Sequence, residues 1–350
     1  MNKKLSYNVA IVGATGAVGK QIIRLLEERD FPIQQLKLLA SKRSKGTIVE
    51  FKGKDLVVEE ATPESFEGVD IALFSAGGKT SRSLAKIAVA KGAIVIDNTN
   101  AFRMDEDVPL IVPEVNMEEA KNHKGVISNP NCSTIQMVTA LKPLYDRYGI
   151  ERIIVSTYQA VSGAGNQAIN ELIVQTKQIL DGKEVTKEIL PVSSLPKKHQ
   201  IAFNAIPQID VFEDNGFTLE EMKMVRETKK IFGDPSIQVT ATCVRLPIIY
   251  GHSESVYVEL KEEYDLKEVR ELLMNAPGVV VIDDPANQEY PLATDSAGKL
   301  DVFVGRLRRD LDHPRALNMW IVSDNLLKGA AWNAVQIAEH LIRNDYNESK

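Results

Sequence analysis

Up to residue 131, short apolar runs alternate with segments of helical period. Tyr7–Val12 is apolar and ends at a glycine, and Val18–Glu28 places Val18, Ile22, Leu25 and Leu26 at helical spacing. Leu36–Ala40, Val69–Ser75, Ala93–Asp97 and Gly125–Ser128 read as further strands, and Ser81–Lys91 as a helix. Strands without polar alternation, separated by helices, predict a parallel sheet covered on both faces.

Beyond the turn Asn129-Pro130-Asn131 the texture changes. Glu151–Ala160, Gln238–Leu246, Ser253–Leu260 and Asp301–Arg308 are longer and alternate, as in a sheet with two different faces. Ile135–Tyr148, Asn166–Leu180 and Leu219–Phe232 have helical period, and Thr218 with Glu221 forms a capping box for the last of these. Asp324–Ile342 reads as a long amphipathic helix with Asp324 as N-cap, expected to return to the first domain. The expected division is therefore 1–131 with 325–350 as a discontinuous α/β domain. Residues 132–324 then form an α+β domain with a mixed or antiparallel sheet.

Composition narrows the partners. A chain of 350 residues, 44% hydrophobic and 26% charged, suits two globular domains. Its apolar runs are too short to span a bilayer, and Asn2-Lys3-Lys4 leads directly to the strand pattern without a secretory signal's apolar core. A cytoplasmic protein with no membrane partner is expected. The net charge of −6 and the lack of a basic stripe argue against nucleic acid. No metal site is assigned. The two cysteines, Cys132 and Cys243, should be free thiols in a reducing compartment.

The first strand runs into Gly13-Ala14-Thr15-Gly16-Ala17-Val18-Gly19 and then a helix. Glycines there let backbone amides approach a pyrophosphate, while the helix N-terminus supplies partial positive charge. The spacing is G-x-x-G-x-x-G, and a tight turn without ligand uses the same residues. With the alternating pattern it predicts a Rossmann-type nucleotide domain. No acid lies between Gln34 and Val49 to hold a ribose 2′-hydroxyl. Strand two ends instead in Ser41-Lys42-Arg43-Ser44, whose cations and hydroxyls suit a 2′-phosphate, so NADP is favoured over NAD.

Cys132 stands where Ser128-Asn129-Pro130-Asn131 meets a helix start, a placement that stabilises a thiolate. A packed thiol is the competing reading, and it is the one that suits Cys243 in mid-strand. A nucleophilic thiol needs a proton partner. Of the five histidines, His252 falls at the glycine turn Tyr250-Gly251-His252 between two strand patterns. Arg245 shares a strand face with Ala241 and Cys243, where a cation requires an anionic partner. Glu220 and Lys223, three apart on a helix, read as an ion pair at the surface.

These segments resemble the aspartate-semialdehyde dehydrogenases, in the bacterial NADP-using form. The resemblance is carried by Asn129-Pro130-Asn131-Cys132-Ser133-Thr134-Ile135-Gln136, the glycine loop, Asp97-Asn98 through Arg103-Met104 and Ser162-Gly163-Ala164-Gly165. It continues in Glu221-Met222-Lys223, Arg245-Leu246-Pro247, Gly251-His252-Ser253 and Ser323-Asp324-Asn325-Leu326. Thr99-Asn100 stands where family members often carry serines. The resemblance implies that Cys132 carries the acyl group, His252 is the acid-base residue and Gln159 orients the acyl intermediate. Arg245 would clamp the substrate carboxylate, Glu220 would lie near its amine, Arg103 and Lys223 would bind phosphate, and Asn131 would touch substrate. Cofactor contacts would come from Gly13, Thr15, Gly16, Ala17, Val18, Ser41, Arg43, Ser44, Ser75, Ala76, Gly77, Ser162, Gly163 and Asn325. The implied reaction is reductive dephosphorylation of β-aspartyl phosphate to aspartate semialdehyde, by a homodimer or homotetramer, in synthesis of the aspartate-family amino acids. An acyl-phosphate reductase of the N-acetylglutamyl-phosphate type, a non-catalytic paralogue and a plain NADP-binding sensor are the alternatives.

Overall fold

The computed structural model describes residues 4–343, which divide into two compact units, 4–131 with 330–343 and 132–329. The expected domain limits reach outside the described residues at both chain ends, as does the reading of Asn2 and Lys3. In the first unit β1 (Tyr7–Val12), α1 (Ala17–Glu28) and β2 (Ile33–Ala40) are followed by a hairpin of β3 (Ile48–Phe51) and β4 (Lys54–Val57). Then come β5 (Glu59–Glu60), β6 (Ile71–Phe74), α2 (Gly78–Ala90), β7 (Ile94–Asp97), α3 (Pro113–Asn116) and β8 (Val126–Ser128). The sheet has the order β5-β2-β1-β6-β7-β8 and every pairing is parallel. Ala10, Ile11 and Val12 are wholly buried, which explains why these strands read as unbroken apolar runs.

The second unit holds α4 (Cys132–Tyr148), β9 (Ile150–Gln159), α5 (Asn166–Leu180), α6 (Leu219–Phe232), β10 (Gln238–Arg245) and β11 (His252–Leu260). It continues with α7 (Leu266–Met274), β12 (Val279–Val281), α8 (Ala293–Ser296), β13 (Val302–Arg309) and β14 (Ala316–Ser323). Its sheet, β10-β9-β11-β14-β13-β12, is mixed, with parallel pairs at both edges and antiparallel pairs within. Ile153, Val155, Thr157 and Gln159 of β9 face inward, whereas Ile154 is 41% exposed. Met137, Leu141 and Leu144 of α4 pack with Ile153, Val155, Val256 and Ile321 into one core. Thr218 and Glu221 close the capping box of α6, and Gly233 ends that helix in the left-handed conformation at φ 64°.

Three differences from the sequence reading have physical causes. Strand β14 sits centrally between β11 and β13, and its buried positions hide the alternation that marks the other strands. The predicted helix 324–342 is not one regular element. Asp324 Oδ1 accepts from the amides of Leu326 and Leu327, a wide π turn spans Leu327–Ala331, and α9 (Trp332–Arg343) follows. Residues 325–329 also belong with the second unit, because Asn325 bonds Ser162 and Gly251 while Gly329 lies against Cys132. Helix α9 packs on α1 in the first unit, where Arg29 pairs with Glu339 and lies over the Trp332 ring.

Candidate active site

In the first unit the carboxyl ends of β2, β1 and β6 lie side by side, with Val12 level with Leu39 and Phe74. The loops leaving those ends are Gly13–Gly16, Ser41–Ser44 and 75–77, so this edge gathers the first-unit residues expected to bind nucleotide. Gly13 has φ +94°, and a Cβ there would stand 2.9 Å from Ser75; one on Gly19 would stand 2.1 Å from the Gly13 carbonyl oxygen. Only glycine fits at either place. Gly16 is the N-cap of α1 and no side chain caps it, leaving Ala17 and Val18 in an uncapped first turn. The Thr15 hydroxyl donates to Ser44 Oγ at 3.3 Å, which ties the glycine loop to the basic loop where Ser41 and Arg43 are exposed. Ser75 and Ala76 lead into Gly77, the N-cap of α2 at φ +87°. This edge fits a pyrophosphate-bearing nucleotide.

Arg103 is buried in the loop after β7, where Nε donates to the Asn129 carbonyl at 3.0 Å and Nη2 to the Asn98 carbonyl at 2.9 Å. Asp97 steadies the start of that loop by accepting from Ser81 and from the amide and hydroxyl of Thr99. Asn131, buried, is the last residue of the unit.

In the second unit one end of the mixed sheet collects the expected catalytic side chains. Gln159 and Arg245 are register partners on parallel strands, and the pairing of Ser253 with Tyr158 sets His252 level with Gln159. All three are at most 4% exposed. Helix α4 brings its first residue, the partly exposed Cys132, to the same end, because Ser133 Oγ accepts from Gln159 Nε2 at 2.9 Å. Gln159 Nε2 also reaches Glu220 Oε1 at 3.1 Å and Thr157 Oγ1 at 3.2 Å. Glu220 Oε2 accepts from Lys223 Nζ, which also bonds Asp210. The Glu220–Lys223 pair expected at the surface is thus drawn inward, with Glu220 only 4% exposed and Lys223 partly buried. The first turn of α6 points at the sheet end rather than at solvent.

Arg245 Nη1 donates to the Ala160 carbonyl at 2.7 Å, and its Nε has no partner among the described residues. The anionic partner expected from its burial is not a direct ion pair. Burial pulls the guanidinium below its ordinary value, and Glu220 and Cys132 oppose that shift through their negative potential. The Ala160 amide donates to His252 Nδ1 at 3.0 Å. Burial first, and the Arg245 charge second, push His252 down to about 3. Ser162 and Asn325 bond each other, and Asn325 Oδ1 accepts from the amide of Gly251, the residue before His252. Gly163 faces the cluster directly: a Cβ there would stand 3.0 Å from Arg245 Nη1 and 3.3 Å from His252 Nε2. Cys243 lies in the core, where burial raises its thiol far above the ordinary range.

Several neighbours escaped sequence reasoning. Ser133 was legible as the residue after Cys132. Glu254, two positions beyond His252 on the buried strand face, was legible from alternation. Ala160 acts through its main chain and Gly329 through tertiary approach, so neither leaves a sequence signal. Among the described residues no cluster of His, Cys, Asp and Glu is arranged to hold a metal, and no helix is long and apolar enough to cross a membrane.

A model of the semialdehyde dehydrogenase NAD binding domain matches residues 8–123, and a model of the semialdehyde dehydrogenase dimerisation domain matches residues 141–328. Aspartate-semialdehyde dehydrogenase of Bacillus subtilis (strain 168) is 62% identical over 335 residues, 95% of this chain and 97% of that protein. A crystal structure of aspartate semialdehyde dehydrogenase II from Vibrio cholerae, complexed with ASA, aligns with TM-score 0.93 at 50% identity, covering 97% of this chain and 99% of that one. That of the Candida albicans enzyme with NADP aligns with TM-score 0.74 at 26% identity, over 97% and 99% of the two chains. With a first unit that matches the nucleotide-binding domain and a second that matches the dimerisation domain, the chain belongs to the aspartate-semialdehyde dehydrogenase family.

Proposed function

We propose that the protein catalyses the NADP-dependent reductive dephosphorylation of β-aspartyl phosphate to aspartate semialdehyde, through a thioester on Cys132. The observation that carries this reading is the convergence of Gln159, Arg245 and His252 at the sheet end where α4 begins with Cys132. The Cys132 thiolate, favoured by the helix start and by Arg245, attacks the acyl carbon. Phosphate leaves toward Arg103 and Lys223. Arg245 holds the substrate carboxylate, Glu220 its ammonium group, Asn131 borders the substrate, and Gln159 orients the acyl carbonyl. The bound dinucleotide supplies the hydride that reduces the thioester. The resulting thiohemiacetal oxyanion collapses to the aldehyde and expels Cys132 as thiolate.

NADP rather than NAD is favoured by the exposed Arg43 between Ser41 and Ser44, and by the absence of an acid between Gln34 and Val49. The remaining contacts would come from the glycine loop, from 75–77, and from Ser162, Gly163 and Asn325. The match to a dimerisation-domain model supports a homodimer, and the activity fits a cytoplasmic biosynthetic enzyme. One assay tests the reading. Protein, aspartate semialdehyde, phosphate and NADP are mixed and NADPH absorbance is followed. Phosphate-dependent NADPH formation is expected, with little or none from NAD or from N-acetylglutamate semialdehyde. Activity with the acetylated substrate alone would favour the related acyl-phosphate reductase.

A further inference from the structure

Lys223, the proposed phosphate ligand on α6, is already engaged by carboxylates. Its Nζ donates to Glu220 Oε2 at 3.2 Å and to Asp210 Oδ2 at 3.0 Å. Nothing in the proposed reaction uses Asp210. Its backbone nevertheless lies in the left-handed region at φ 69°, where a residue other than glycine is uncommon and persists only when its surroundings hold it there. Those surroundings are specific. Ile206 exchanges both main-chain hydrogen bonds with Arg245 at the end of β10, and Ile209 packs in the core of the second unit. The Val211 carbonyl accepts from the Leu219 amide at 2.7 Å, which fastens the segment to the start of α6. Asp210 Oδ1 accepts from the Val211 amide at 2.9 Å, and the Asp210 carbonyl accepts from Gln208 Nε2 at 3.1 Å. With these contacts made, Oδ2 is the oxygen left to meet Lys223.

The two carboxylates that share Lys223 are not equivalent. The Glu220 side chain is 6% exposed and its other oxygen accepts from Gln159 Nε2. Taking Lys223 away from it would leave a buried charge uncompensated, which is costly. The Asp210 side chain is 31% exposed, so water can replace the ammonium group there at little cost. One cation between two carboxylates also leaves an excess of negative charge, which opposes an approaching phosphate dianion. The contact that phosphate displaces is the one to Asp210.

We infer that Asp210 is a placeholder for phosphate: it holds Lys223 while the phosphate position is empty and reclaims it as phosphate departs. The inference rests on the proposed reaction, in which Lys223 binds phosphate. No covalent bond changes in the exchange. Lys223 trades a carboxylate oxygen for a phosphate oxygen, and Asp210 Oδ2 turns to water. Asp210 touches no reacting atom and acts only through Lys223, so it is a positioning residue. Its effect is to keep phosphate affinity low, which favours release of phosphate in the reductive direction.

The test is a titration of the complete protein with inorganic phosphate, followed by phosphorus NMR at fixed ionic strength. Wild type is compared with Asp210→Asn, Asp210→Gly and Lys223→Ala. Asparagine and glycine both accept a positive φ, so the segment keeps its path, and asparagine also keeps an oxygen for Lys223. Each Asp210 variant removes the competing charge and should bind phosphate about threefold tighter or more. Lys223→Ala should bind it about tenfold more weakly or worse. In the NADP reduction assay the Asp210 variants should show KM for phosphate lowered by the same factor as the dissociation constant, with KM for NADP unchanged. Damage to the fold would weaken phosphate binding, so the direction of the change separates competition from a structural role. Unchanged or weaker phosphate binding in either Asp210 variant overturns the inference. Unchanged binding in Lys223→Ala overturns it too, together with the assignment of Lys223 to phosphate. Absence of phosphate-dependent NADP reduction by the wild-type protein would sink the proposed reaction while leaving the phosphate titration intact.

Discussion

Gly329 lies so close to the start of α4 that a Cβ on it would stand 2.7 Å from Cys132 Cβ and 3.2 Å from Cys132 Cα. Both atoms belong to or adjoin helix backbone, which cannot yield as the tip of a long side chain can. The glycine therefore sets the position of Cys132, the proposed nucleophile, from the far end of the second unit's sequence. Gly329→Ala should displace the thiol and lower kcat by roughly 10²-fold, the usual consequence of misplacing a reacting group by about an ångström. Nucleotide affinity, measured by titration, should change little. Wild-type kcat in this variant would show that the approach is irrelevant to catalysis.

His252 also makes the protein acid-sensitive. Its folded value of about 3 lies below the ordinary 6.5, so the unfolded chain binds the extra proton first as pH falls. Its contribution is fully present above 6.5 and is lost as pH drops toward 3, at about 1.4 kcal/mol per pH unit within that window. Urea unfolding of wild type and His252→Asn at neutral and at mildly acid pH measures the difference. The wild type should lose more stability on acidification. Equal losses would mean that the ring charges freely in the folded state.

Glu254 presents the opposite sign. The carboxyl is wholly buried, and burial raises its value well above 4.5, with the Gln136 side chain only partly offsetting this. A raised value means stability that is present below 4.5 and lost as pH rises. Glu254→Gln, uncharged at every pH, should keep near-wild-type kcat and lose less stability than wild type between acid and alkaline pH. A large drop in kcat would assign the carboxyl a catalytic charge.

How much of this was legible in the sequence depends on the kind of contact. The strand faces were: alternation through Val155, Thr157 and Gln159 predicts their shared burial, and Thr218 with Glu221 announces the start of α6. The glycine loop was legible because strand, turn and helix follow one another locally. Glu220 and Lys223 were visible as a pair but the burial of Glu220 was not, since it comes from the sheet end that residue faces. Ala160, which bonds both His252 and Arg245 through its main chain, could be any residue type, so nothing marked it. Strand β14 was missed because a central strand buried on both faces has no polar alternation to read.

In the proposed reading Arg43 selects NADP over NAD. It is exposed beside Ser44, which is bonded to Thr15 of the glycine loop. Arg43→Ala should raise KM for NADP about tenfold or more and leave KM for NAD nearly unchanged, as expected on losing a charge-assisted phosphate contact. Parallel increases for both nucleotides would place Arg43 outside the 2′-phosphate site.

The thioester itself is accessible to mass spectrometry. Protein mixed with aspartate semialdehyde and NADP in the absence of phosphate is quenched in acid and digested. With no phosphate to accept the acyl group, one equivalent of NADPH should form and the peptide carrying Cys132 should bear an aspartyl mass. Added phosphate should release that mass, and Cys132→Ser should show neither adduct nor turnover while still binding NADP. NADPH formation without an acyl group on Cys132, or substantial turnover by Cys132→Ser, would contradict the covalent mechanism.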